Sequence, residues 1–187
     1  MPPDLLHPEP PRGPAPAVSG WVWPHGDADT VGFQGLPAFR AQVLALLQAA
    51  GQGRCDLVLC DADYEAWPLG EAAVVDAFNA WALAARSTHA VILAAQFDAW
   101  PRRHPRWVRW RTPWAHRMRC LQAPDDLAGD LPRILLLPGR AGLEVLDAAQ
   151  WRGVVTREPV RLARLKEQTD AISQRSGDAF PPTLLGL

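Results

Sequence analysis

From position 37 onward the apolar residues follow two periods in turn. Phe39, Val43, Leu44, Leu46 and Leu47 recur at helical spacing, with Pro37 in the first turn and Gly51 as the stop, and predict a helix. A turn over 51–54 leads to the short apolar run 55–60, which has the length of a strand. Residues 70–86 are the clearest helix, with Val74, Val75, Phe78, Trp81, Ala82 and Ala85 on one face. The next strand, 89–97, is apolar through its middle, as a strand covered on both faces should be. Trp107, Trp110 and Trp114 predict a helix within 98–114, broken at its ends by Pro101, Pro105 and Pro113. Strands follow at 117–122 and 133–137, separated by an acidic loop over 125–130. A turn over 139–142 and a strand over 143–146 complete a hairpin, and 151–156 adds a short sixth strand. Helix 158–176 closes the pattern, with Val160, Leu162, Ala163, Leu165, Thr169 and Ile172 as its buried positions.

Strands alternating with helices, then a hairpin, predict an α/β fold: a layered mixed sheet flanked by helices. One domain over 25–187 accounts for all of it, with 25–36 as an irregular loop leading in. Residues 1–24 hold eight of the nineteen prolines and read as a flexible tail whose end Trp21 and Trp23 anchor. Phe180 and the leucines after it pin the other end.

Composition adjusts this picture in three places. Nineteen basic against twenty acidic side chains give a formal charge of −1, which disfavours a globally basic nucleic-acid binder. No apolar run approaches the ~20 residues that span a bilayer, and the first residues lack a basic start followed by an apolar stretch, so a cytoplasmic protein with no membrane partner is expected. Cys55, Cys60 and Cys120 are an odd set with unsuitable spacing for a zinc knuckle, and read as reduced, buried thiols. No cofactor is expected.

Two constellations could carry chemistry. Asp61 and Asp63 follow the first strand, at the sheet edge where α/β proteins bind ligands, and two carboxylates there could hold Mg²⁺. This DxD resembles the opening motif of haloacid dehalogenase-type phosphotransferases and that of nucleotide-sugar transferases. It implies, as one alternative, a Mg-dependent phosphotransfer or sugar-nucleotide enzyme. The rest of the phosphotransferase pattern is not met: Lys166, the single lysine, falls inside the last helix and Asp178 follows no predicted strand. The bland reading makes the pair loop and cap residues and leaves no metal site.

The second constellation is 99–124, with Arg102, Arg103, Arg106, Arg109, Arg111, Arg117 and Arg119 and no carboxylate, a charge of +7 that leaves −8 for the rest. Trp100, Trp107, Trp110 and Trp114 are interleaved. Arginine forks and aromatic faces suit nucleic acid or phosphate, and that is the other alternative. The competing reading packs the tryptophans inward beneath arginine stems.

The element order resembles one half of a phospholipase D-like domain, over about 37–176. In that superfamily a late strand carries HxKxxxxD, followed by a hairpin strand and a long helix. The corresponding segment here runs from Leu131 to Gly139. The nucleophilic His falls on Leu131, the phosphate-binding Lys on Arg133 and the Asp on Pro138. The chain also looks like an uncharacterised bacterial branch of that superfamily. Leucine can neither attack phosphorus nor move a proton, so the resemblance implies a degenerate member with no catalytic residue, a binding or scaffolding domain. The retained anion site would be Arg133 with Arg102, Arg103 and Arg109, its ligand phosphate-bearing. Relatives that pair two halves imply homodimerisation.

Overall fold

A computed structural model describes residues 22–181. Eight strands form one mixed sheet, in the order β1-β7-β6-β5-β2-β3-β4-β8. Its centre is β2 (Leu57–Cys60), β3 (Ala90–Ala94) and β4 (Met118–Gln122), all parallel. The helical crossovers between them lie on one face, the arrangement parallel pairing requires. From β2 the pairing turns antiparallel, through β5 (Ile134–Leu137), β6 (Ala141–Asp147), β7 (Arg152–Thr156) and β1 (Thr30–Phe33). The two-residue β8 (Gly177–Asp178) pairs with β4 at the opposite edge.

Strand alternation sorts the core into two layers. Leu57, Leu59, Ile92, Leu135 and Leu143 face α1 (Leu36–Gly53) and α2 (Ala72–Ala84), with Phe39, Leu46, Phe78 and Trp81 packed over them. Cys60, Leu93, Leu121, Ile134 and Leu136 face α6 (Pro159–Arg175), which covers them with Leu162, Leu165 and Ile172. The strands between the helices are therefore apolar on both sides, as the sequence pattern required. Among the described residues no helix is long and apolar enough to cross a membrane.

The structure departs from the sequence reading in instructive places. Gly51 does not stop α1. The helix runs to Gly53, and Arg54 caps it in the left-handed conformation (φ 51°). Gly51 lies instead where α1 meets α2: a Cβ there would come within 3.3 Å of the Trp81 amide nitrogen. The segment 25–36 is no plain loop, since β1 pairs along it with β7. The acidic loop holds one helical turn, α5 (Asp125–Ala128), and the 98–114 helix divides at His104 into α3 (Trp100–Arg103) and α4 (Pro105–Arg111), followed by a 3₁₀ turn over Thr112–Arg117. Two positions expected to be buried on α6 are exposed, Val160 (85%) and Ala163, and its buried face is Leu162, Leu165, Thr169 and Ile172. Trp23 is buried, its indole donating to the Ala28 carbonyl (2.7 Å), and Phe180 stacks on Phe97. Trp21 and the leucines of the C-terminal end lie outside the described residues.

Candidate functional site

The carboxyl edge of the parallel strands brings two of the sequence candidates together. Asp61 immediately follows β2 and is 1% exposed. Arg133 immediately precedes β5, and the antiparallel pairing of β2 with β5 sets it beside Asp61. Its guanidinium grips the carboxylate bidentately, Nε on Oδ2 and Nη2 on Oδ1. The Trp67 indole adds a hydrogen bond to Oδ2 (2.6 Å), and the Asp63 amide one to Oδ1 (3.2 Å). Arg133 itself lies 4.5 Å from the Trp151 ring centroid. Both Asp61 oxygens are thus committed to donors, with a guanidinium where a Mg²⁺ ligand set would need a cation. Among the described residues no group of three or more His, Cys, Asp or Glu could hold a metal ion.

The other two motif positions do not join this pair. Leu131 packs against the α6-side core, and Pro138 stands in the β5–β6 turn at the far end of β5.

After Asp61 the chain makes a loop over 61–70 that gathers basic side chains from several elements. Arg40 on α1 donates to the Ala66 carbonyl (2.9 Å), Arg106 on α4 donates to the Gly70 carbonyl (2.8 Å), and Arg103 lies 3.5 Å from Glu65. His104 is buried, its Nε2 3.1 Å from the Tyr64 carbonyl, and burial lowers its pKa, favouring the neutral ring. Tyr64 takes a positive φ of 55° and is held by its hydroxyl, which donates to the Leu93 carbonyl (2.9 Å). Burial raises the phenol pKa, so that hydroxyl keeps its proton. Asp63 closes a local turn by accepting from the Glu65 amide (2.9 Å).

The basic segment sorts into three groups. Trp100 and Trp107 are core residues, while Trp110 and Trp114 are half-buried against it. Arg111, Arg117 and Arg119 are structural: Arg111 lies over Phe180, Arg119 pairs with Asp178, and Arg117 is buried against the end of α2. Arg117 donates to the carbonyls of Ala82 (2.5 Å), Ala85 (2.6 Å) and Thr88 (2.9 Å) and to the Thr88 hydroxyl. Arg102, Arg103, Arg106 and Arg109 face solvent on α3 and α4, and the side chains of Arg102 and Arg109 have no ion-pair or hydrogen-bond partner among the described residues.

Sequence reasoning missed the role of Trp67 and Trp151, which enclose the Asp61–Arg133 pair. Nothing in their local pattern marks them. It also missed Glu144 on β6, a buried carboxylate that accepts from Arg161 and Arg164 of α6. The signal was present only as a lone acid within an apolar run.

No protein-family model matches the chain, and no curated protein matches it in sequence. Solved structures do. TrmBL2, an archaeal chromatin protein with a novel mode of DNA binding, superposes with a TM-score of 0.58 at 13% identity, over 81% of this chain and 54% of that one. The present chain therefore spans about half the length of TrmBL2. Nuc from Salmonella typhimurium, a phospholipase D family member, superposes with a TM-score of 0.51 at 10% identity, over 80% of this chain and 98% of that one. At such identities the likeness speaks of fold alone. A central parallel trio, an antiparallel wing ending in a hairpin, and a long closing helix on the far face together make this a phospholipase D-like fold.

Proposed function

We propose that this chain is a degenerate phospholipase D-like domain that binds a phosphate-bearing ligand without cleaving it. One observation carries the reading. Arg133, the charged position that the motif retains, is folded onto Asp61, while the nucleophile position is Leu131, half-buried against the α6-side core. A half-buried guanidinium committed to a carboxylate holds charge in place but supplies neither nucleophile nor proton shuttle. The face offered to an anion is then the solvent side of α3 and α4, with Arg102, Arg103 and Arg109 beside Arg106. That a chromatin protein described by its DNA binding shares the fold supports a binding use for it.

The test is hydrolysis of bis(p-nitrophenyl) phosphate, with and without Mg²⁺, together with anisotropy of a labelled DNA duplex at rising salt. The expected outcome is no turnover above the blank, and binding that weakens with salt and is lost in the Arg102→Ala/Arg103→Ala/Arg109→Ala variant. Robust turnover abolished by Arg133→Ala overturns the non-catalytic reading. Salt-independent binding, or none, overturns the anion face.

A further inference from the structure

The opposite edge of the sheet holds a cleft whose charges, unlike those around the 61–70 loop, are not paired. It lies between the end of α2 and the 3₁₀ turn, encloses about 490 Å³, and is lined by Ala82, Leu83, Arg86, Trp114, His116 and Arg117. The volume falls within the ~300–1,000 Å³ usual for small-molecule sites. No carboxylate lines it. Arg117 at its floor is already committed to the α2 carbonyls and stacks between Trp81 and Trp114. Arg86 and His116 are exposed, and neither has an ion-pair or hydrogen-bond partner among the described residues. Beside them stand the half-buried Trp114 indole and Leu83, which is 68% exposed on an otherwise amphipathic helix. By contrast, the cavity by the 61–70 loop carries carboxylates beside its cations, Glu71 near Arg40 and Glu65 near Arg103.

We propose that this cleft binds a nucleoside monophosphate, its phosphate held by Arg86 and His116 and its base laid against Trp114 and Leu83. The Arg86 fork matches two phosphate oxygens, and a histidine ring donates a hydrogen bond in either tautomer. The indole and the leucine supply the flat apolar wall that a base stacks on. An inorganic anion would leave that wall bare, and a neutral nucleoside would leave the cations unpaired.

Titration calorimetry on the full chain tests this with three probes: AMP, adenosine and orthophosphate. The expected result is saturable binding of AMP, with adenosine and orthophosphate each at least about tenfold weaker. Arg86→Ala and Trp114→Leu should each weaken AMP about tenfold or more, while Trp114→Phe keeps most of the affinity. Lys166→Ala, on α6 and outside both binding faces, should leave AMP binding unchanged. Absence of saturable heat up to about 1 mM AMP overturns the proposal. So does binding that survives both Arg86→Ala and Trp114→Leu.

Discussion

Asp61 and Arg133 stand 72 positions apart in sequence and share one carboxylate–guanidinium contact in a nearly closed site. An ion pair so placed is weak as a source of stability but costly to break on one side only. Arg133→Met should therefore cost about 3–5 kcal/mol in urea unfolding, because Asp61 is left charged and buried. The double variant Asp61→Leu/Arg133→Met should recover most of that loss. A second residue-scale expectation concerns the thiols. Burial pushes the Cys120 thiol up to about 11, and raises Cys55 and Cys60 as well. A thiol with a raised pKa keeps its proton in the folded chain while the unfolded chain has already lost it. Stability should then be intact below about pH 8.5 and fall as pH rises beyond it, by about 1.4 kcal/mol per pH unit for each thiol that stays protonated. Melting followed from pH 7 to 10 checks this, with Cys120→Ala expected to flatten the slope. At this scale the sequence showed which groups carry charge but not whom they meet. The Asp61–Arg133 contact depends on β2 lying antiparallel to β5, and no local spacing encodes that.

Helices were read well where their apolar faces were long, as in α2 and α6, and less well where a glycine or a proline served packing. Gly51 has the local signature of a helix stop, yet its lack of a side chain is used against Trp81 of a different helix. The edge strands β1 and β8 escaped notice for a physical reason. Short strands take their order from a partner, and β1 finds its partner in β7, 126 residues away. At the level of elements, Arg117 deserves the sharpest test. It serves as a side-chain cap for α2, satisfying carbonyls that the helix leaves open, and it rests 5.0 Å from the Trp81 ring centroid. Arg117→Met should destabilise the domain by about 2–4 kcal/mol, since several buried acceptors lose a charged donor. Hydrogen exchange should speed first at the end of α2 and around Thr88, ahead of global unfolding. Uniform exchange across the domain would show that the cap is not local.

Across the whole molecule, the formal charge of −1 conceals a division of labour. Part of the +7 of residues 99–124 meets partners within the chain: Arg103 and Arg106 on the 61–70 loop, Arg117 on α2, and Arg119 on Asp178. What is left over, Arg102 and Arg109 above all, is far less than the sequence total, which explains why composition alone overstated the basic surface. The fold class was legible from the order of elements, and the two-layer core from the continuous apolar strands. The sheet order was not, because it is set by pairings between distant segments. Pairing of two copies, which the resemblance to two-half enzymes implies, is checked by sedimentation equilibrium. A dimer that persists at micromolar concentration is the expected result, and a monomer at every concentration speaks against it.

The β1–β7 pairing has one more consequence, for synthesis. Thr30 leaves the ribosome among the earliest described residues, but its register partner Thr156 is among the latest. The crossovers joining β2, β3 and β4 can close as soon as residue 122 has emerged, while β1 must wait, unpaired, until β5, β6 and β7 have been laid down beside it. Pairing along the sheet can thus run from its middle outward, although synthesis reaches the edge strand β1 before the central strands. The first strand is the piece most exposed to wrong partners while the rest is still being made.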